Sequence, residues 1–170
     1  MLEVLKYTVP SLVVFLVVYY IIHSYFEDQE RKRSMKSALK NRKIMTPLRL
    51  QAYERIILFL ERISPESLIL RIGQPGMTSK DLQTEMLTVI RAEFEHNLSQ
   101  QLYLSNEAWE MVKSARSNTV KLINLMSEKV QGDAIYLTLS TAILEEIMEA
   151  ECTPSSKAID FLKNEVQKLF

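Results

Sequence analysis

Hydrophobic and polar positions divide this chain into two regimes. From Tyr7 to Phe26 (YTVPSLVVFLVVYYIIHSYF) no side chain carries a formal charge, and ten positions between Val9 and Ile22 are Leu, Ile, Val or Phe. A strand is rarely so long, and in lipid only a helix satisfies its own backbone groups. At about 1.5 Å per residue a helix here reaches about 30 Å, the thickness of a bilayer's hydrocarbon core. Tyr7 stands at one border, with Tyr19, Tyr20, Tyr25 and Phe26 at the other, where amphipathic rings favour the headgroup level. Pro10 falls in the first turn, where its missing N–H costs little. His23 lies near the exit and is read as interfacial. The exit sequence IIHSYF does not resemble a small-residue cleavage site, so the segment is expected to remain as an anchor.

Beyond residue 45 the apolar residues recur at helical steps. Thr46-Pro47 reads as cap and first residue of a helix, with Leu50, Tyr53, Ile56, Ile57, Leu60 and Ile63 on one face. Ser64-Pro65 repeats that signal ahead of Leu68, Ile69, Leu70 and Ile72, and Gly73-Gln74-Pro75-Gly76 breaks the pattern. Thr78 and Asp81 have capping-box spacing and open a helix expected to run to about Tyr103, with Leu82, Met86, Ile90 and Phe94 inward. Ser105 caps the next helix, which carries Trp109 as a core anchor and ends near Val130. Gly132 stops it, Asp133 is expected to start another with Ile135, Leu139 and Ile143 inward, and Thr153-Pro154 begins the last. No segment alternates with period two. The fold class expected is therefore all-α: one N-terminal transmembrane helix followed by a cytoplasmic helical bundle of about five to six helices. The expected division is an anchor over 1–26, a basic collar over 27–45 and the bundle over 46–170.

Charge sharpens this division. The chain is formally neutral, yet Arg31, Lys32, Arg33, Lys36, Lys40, Arg42 and Lys43 crowd the collar against only Glu27, Asp28 and Glu30. Basic residues beside a span stay on the cytoplasmic side, so the N-terminus is expected outside and the bundle in the cytoplasm. The same seven residues form a candidate membrane surface for anionic lipid headgroups. The bundle is mildly acidic, which disfavours nucleic-acid binding. Cys152 is the single cysteine, so there is no disulfide framework and no thiolate metal cluster, as suits a reducing compartment.

Catalytic chemistry finds little support. Glu93-Phe94-Glu95-His96 contains the Glu-x-x-His pair that carboxylate-bridged di-iron bundles use. Such a centre needs two pairs, and the only other histidine is His23, so completing it would take a dimer; a dimeric metal-dependent oxidoreductase using Glu93 and His96 is kept as an alternative. Glu145, Glu146, Glu149 and Glu151 make an acidic helix end, read as a solvated face; they would raise the pKa of the neighbouring Cys152 thiol. Asn97-Leu98-Ser99 matches a glycosylation sequon but carries no meaning on a cytoplasmic helix. There is no Gly-rich phosphate loop, Gly-x-Ser-x-Gly elbow or Cys-x-x-Cys, so the chain is read as a non-enzyme with no cofactor assigned.

The segments TPLRLQAYERIILFLERISPESLILRI (Thr46–Ile72) and IRAEFEHNLSQQLYLSNEAW (Ile90–Trp109) resemble an uncharacterised family of single-span membrane proteins from Bacteroidetes-type bacteria. The resemblance implies a bacterial inner-membrane location and nothing catalytic. The function expected is a membrane-anchored, non-enzymatic scaffold that binds an unknown protein partner or itself as a homo-oligomer. An accessory or regulatory subunit of a transporter or secretion complex is the second alternative.

Overall fold

The computed structural model describes residues 15, 18–24, 29, 36, 43–150 and 153–169. The chain divides into two compact units, Met1–Pro47 and Leu48–Phe170. In the first, every described residue is helical, and the rings of Tyr19 and His23, one turn apart, approach to 6.0 Å. Of the expected span Tyr7–Phe26 these include only Phe15 and residues 18–24, all exposed; the rest lies outside the described residues. Among the described residues no helix is long and apolar enough to cross a membrane. Lys36 and Lys43 of the collar are helical and exposed, while Arg31, Lys32, Arg33, Lys40 and Arg42 lie outside the described residues. Residues 43–47 are helical throughout, so Thr46 and Pro47 do not open a helix as their pattern predicts. A proline's φ is already helical, and what it removes is one N–H bond, which a helix can survive.

The second unit is all-helical. Residues 48–62 form α1, followed by α2 (Pro65–Ile72), α3 (Ser79–Asn97), a 3-10 turn (Leu98–Leu102), α4 (Asn106–Lys129), α5 (Tyr136–Glu149) and α6 (Ser156–Leu169). No strand occurs among the described residues, only an isolated antiparallel bridge between Thr78 and Ile135. The central pair α3 and α4 pack on each other; α2 and α5 cover α3, while α5 and α6 cover α4. One core joins them, built on Tyr53, Ile56, Phe59 and Leu60 of α1 with Leu68, Leu82, Met86, Ile90, Ile123, Leu139, Ile143 and Leu162.

Most helix starts follow from their caps. Ser64 Oγ accepts from the Ser67 N–H, and Ser105 Oγ accepts from the Ala108 N–H. Thr78 and Asp81 complete the expected reciprocal box: Thr78 Oγ1 accepts from Asp81 N–H, and Asp81 Oδ2 accepts from Thr78 N–H at 3.0 Å. The next free donors of α3 are met from another part of the chain. Ser79 N–H donates to Ala134 O, Lys80 N–H to Gly132 O, and in return Tyr136 N–H donates to Met77 O. This exchange displaces two expectations. Residues 132–135 are occupied as acceptors and a bridge partner, so Asp133 does not cap α5, which starts at Tyr136 after Ile135. Ile135 is 64% exposed rather than inward.

Two further departures have local causes. The periodicity predicts α3 to about Tyr103, but the helix tightens into the 3-10 turn at Leu98. The Asn97 side chain donates back to Glu93 O and so competes with the helical ladder at that point. α6 begins at Ser156, because Thr153 Oγ1 accepts from the Ser156 N–H and holds the intervening residues as a turn.

Two tests follow from the loop packing and the capping box. A Cβ on Gly73 would lie 2.8 Å from both Ile69 O and the Tyr136 ring, whereas one on Gly132 would meet nothing closer than Lys80 Cβ at 3.7 Å. Gly73→Ala is expected to cost about 1–3 kcal/mol in denaturant unfolding, and Gly132→Ala to leave the midpoint nearly unchanged. The hydrogen bonds from the Thr78 side chain and backbone hold the Asp81 carboxyl below its ordinary 3.8. A depressed carboxyl favours the folded state while ionised, so this contribution is present above that value and is lost as pH falls through the folded pKa. Asp81→Asn should therefore destabilise the protein at neutral pH and reduce its sensitivity to acid, as read by unfolding at several pH values.

Candidate functional site: a groove between the first and last helices of the bundle

An apolar groove runs between α1 and α6. The buried face of α1 uses Ala52, Tyr53, Ile56, Phe59 and Leu60, and Ile63 just after it is buried too. Leu50, expected in that face, is 46% exposed instead, and Leu58 is 56% exposed. For Leu58 the reason is geometric: Ile56-Ile57-Leu58-Phe59-Leu60 places five apolar residues in succession, which a helix must spread around its whole circumference. Leu50, Ile57 and Leu58 form one wall of a groove of about 490 Å³, and Val166 of α6 stands opposite. Glu54 marks one rim, and Lys163 and Gln167 mark the other. A surplus apolar ridge at this spacing is what a partner helix reads.

A polar cluster lies next to Tyr53, which also lines the groove. The Tyr53 side chain is 1% exposed, and its hydroxyl makes no hydrogen bond of good geometry, although the Glu165 carboxylate, the Ser105 backbone and the Arg49 side chain lie near enough to act on it. Glu165 of α6 also has a buried carboxylate oxygen without a hydrogen bond, and Arg49 Nε donates to Tyr103 O at 3.1 Å. Burial pushes the Tyr53 phenol above its ordinary 10.0 and the Glu165 carboxylate raises it further, while the Ser105 backbone and Arg49 act in the opposite sense. Tyr53 is thus neutral at physiological pH, and its hydroxyl is a buried group with no hydrogen bond to offset its desolvation.

A second polar cluster occupies the other side of α1. Arg62 pairs with Glu93 at 2.6 Å, Arg71 stands 3.9 Å from the same oxygen, and Arg71 also donates to Arg62 O at 2.9 Å. The three residues tie α1, α2 and α3 together. Arg62 and Glu93 border a concavity of about 150 Å³ with Arg55, Leu58, Phe59, His96 and Asn97. Glu93 and His96 do share this hollow, but two guanidinium groups already attend the Glu93 carboxylate. That positive environment opposes a divalent cation at Glu93. Among the described residues no three His, Cys, Asp or Glu side chains are placed to hold a metal ion.

The remaining sequence candidates disperse. Glu146 pairs with Lys129 at 3.3 Å, Glu145 and Glu149 are exposed, and Glu151 and Cys152 lie outside the described residues. Trp109 is half-buried, its ring 5.6 Å from Phe94, and Arg116 lies 4.3 Å from the Phe94 ring centre. This aromatic–cation stack supports the core at the α3–α4 contact, which agrees with Trp109 as an anchor. Of the groove residues of α1, the periodicity places Leu50, Tyr53 and Ile57 on the core face; the five-residue apolar run is the signal that part of that helix must face outward.

The unpaired Tyr53 hydroxyl gives a direct test. Tyr53→Phe keeps the ring and removes the group without a partner, so stability should stay level or rise by up to about 1 kcal/mol. The tyrosine's raised pKa implies stability that is present below 10.0 and lost as pH climbs through the folded value. The phenylalanine variant should therefore also resist alkaline unfolding better than the parent, as followed by circular dichroism.

No curated protein and no solved structure shows a significant match to this chain. A family of unknown function, DUF7935, matches residues 1–169, nearly the full length. The all-helical bundle with its α1–α6 groove is accordingly that of a member of this family, to which the chain belongs.

Proposed function

We propose that this protein is a membrane-anchored, non-enzymatic interaction module whose bundle receives an amphipathic helix of a protein partner in the α1–α6 groove. The observation that carries the reading is the outward placement of Leu50 and Leu58, with half-buried Ile57, opposite Val166, an apolar trough with charge of opposite sign on its two rims. Covering half-exposed leucines is favourable by about 1 kcal/mol each, and Glu54 and Lys163 select a helix with a basic and an acidic flank. The anchoring part rests on the uncharged stretch Tyr7–Phe26 and the basic collar after it, which favour a bacterial inner membrane with the bundle inside. A role as accessory subunit of a transporter or secretion complex is the same reading with the partner specified.

One experiment tests both parts. Full-length protein expressed in its bacterial host is expected in the membrane fraction, with the bundle protected from protease added outside. Crosslinking through Lys163 should then yield a defined partner peptide, and Leu50→Asp should reduce that crosslink about tenfold while thermal unfolding is preserved. Recovery of the intact chain in the supernatant overturns the anchor; an unchanged crosslink in Leu50→Asp overturns the groove.

A further inference from the structure

α6 is held unevenly along its length. Its first half is seated in the core through Ala158, Ile159 and Leu162, each no more than 6% exposed. After Leu162 the anchoring stops. Lys163, Asn164, Gln167 and Lys168 are exposed, and Glu165 and Val166 are only partly covered. Of residues 163–168 only Val166 packs against the core, and among the described residues no ion pair ties this half to the bundle.

What this half of α6 covers is polar. The Tyr53 hydroxyl and one carboxylate oxygen of Glu165 are sealed from water, and neither makes a hydrogen bond of good geometry. The Tyr53 side of the contact is fixed: Arg49, one turn earlier on α1, donates to Tyr103 O in the α3–α4 corner, and the Ser105 backbone lies beside the hydroxyl. The Glu165 side is carried by the weakly seated half of α6. Closed, the contact keeps two polar groups from water without full compensation. Opened, both are hydrated, and little apolar contact beyond that of Val166 is given up.

The same half supplies Lys163, Val166 and Gln167, the side of the groove that faces Leu50 and Ile57. We infer that residues 163–169 form a gate on the groove: they leave the bundle together, pivoting beyond Leu162, and in leaving they remove the groove's second wall. Ordinary fraying runs inward from the last residue and is indifferent to α1, whereas this opening is set by Tyr53, far away in sequence. A helix lying against Val166 would cover it and hold the gate shut, so occupancy and closure favour one another. That last link rests on the groove reading; the opening itself is a property of the bundle alone.

Hydrogen exchange on the full chain in mild detergent, without a partner, reads the gate directly. The amides of residues 163–169 should exchange as one block, about 100-fold faster than those of residues 160–162. Tyr53→Phe, which keeps the ring and removes the hydroxyl, should slow the block about fivefold. Glu165→Met, which puts an apolar chain of similar length in place of the carboxylate, should slow it as well, and either variant suffices if the other does not fold. A block no faster than residues 160–162 overturns the inference. So does a fast block that neither substitution slows, which is fraying alone. The two readings fail separately. If the gate is absent while Leu50→Asp still lowers the Lys163 crosslink, the groove stands without it; if that crosslink is unchanged while Tyr53→Phe slows the block, the gate stands and only its link to a bound helix is lost.

Discussion

The bundle depends on a reciprocal exchange of backbone hydrogen bonds between the segments that precede α3 and α5. The first N–H groups of a helix have no partner within it and must find acceptors elsewhere. In α3 the box of Thr78 and Asp81 meets part of this need, and carbonyls of Gly132 and Ala134 meet the rest. The Ser79 hydroxyl adds a bond to Ile135 O, and Tyr136 returns one to Met77 O. Each loop is thereby an integral part of the other helix's start. The short approach of Tyr136 to Gly73 then fixes how the end of α2 meets the beginning of α5.

On this frame the apolar inventory is larger than the core requires. A helix with one buried face needs an apolar stripe on that side only. α1 has its core face and also Leu50 and Leu58 outside it; α5 has Leu139 and Ile143 inside and Leu137 and Met148 outside. Isolated exposed leucines are ordinary on a protein surface. What gives these weight is their organisation, on α1 beside a groove and on α5 beside Glu145 and Glu149. The ion pairs around Glu93 have a different role, since they connect α1, α2 and α3 without leaving the carboxylate free.

Much of this was legible in the sequence because it is local. Ser64, Ser105 and the Thr78–Asp81 pair cap the helices their spacing marks, and Gly73 to Gly76 separate α2 from α3. Where a residue's role is set by something distant, the sequence misleads. Asp133 has a good capping side chain, but its segment is drawn into bonds with Met77, Ser79 and Lys80, more than fifty residues earlier. Leu50 fits the periodicity of a core face, yet α1 is rotated so that Ala52 and Phe59 take that side. The candidate groove was hidden for the same reason: it depends on where α6 comes to rest against α1. Glu93 and His96 do lie near one another, but no spacing rule reveals that arginines from two other helices reach the carboxylate.

The exchange between the two loops also has an evolutionary consequence. Acceptors from one loop serve donors of the other at fixed register, so neither can gain or lose a residue without stranding a buried amide in its counterpart. Insertions and deletions among relatives should therefore spare both turns or alter them as a pair, while the connection around Thr153, held by its own local bonds, is free to drift in length.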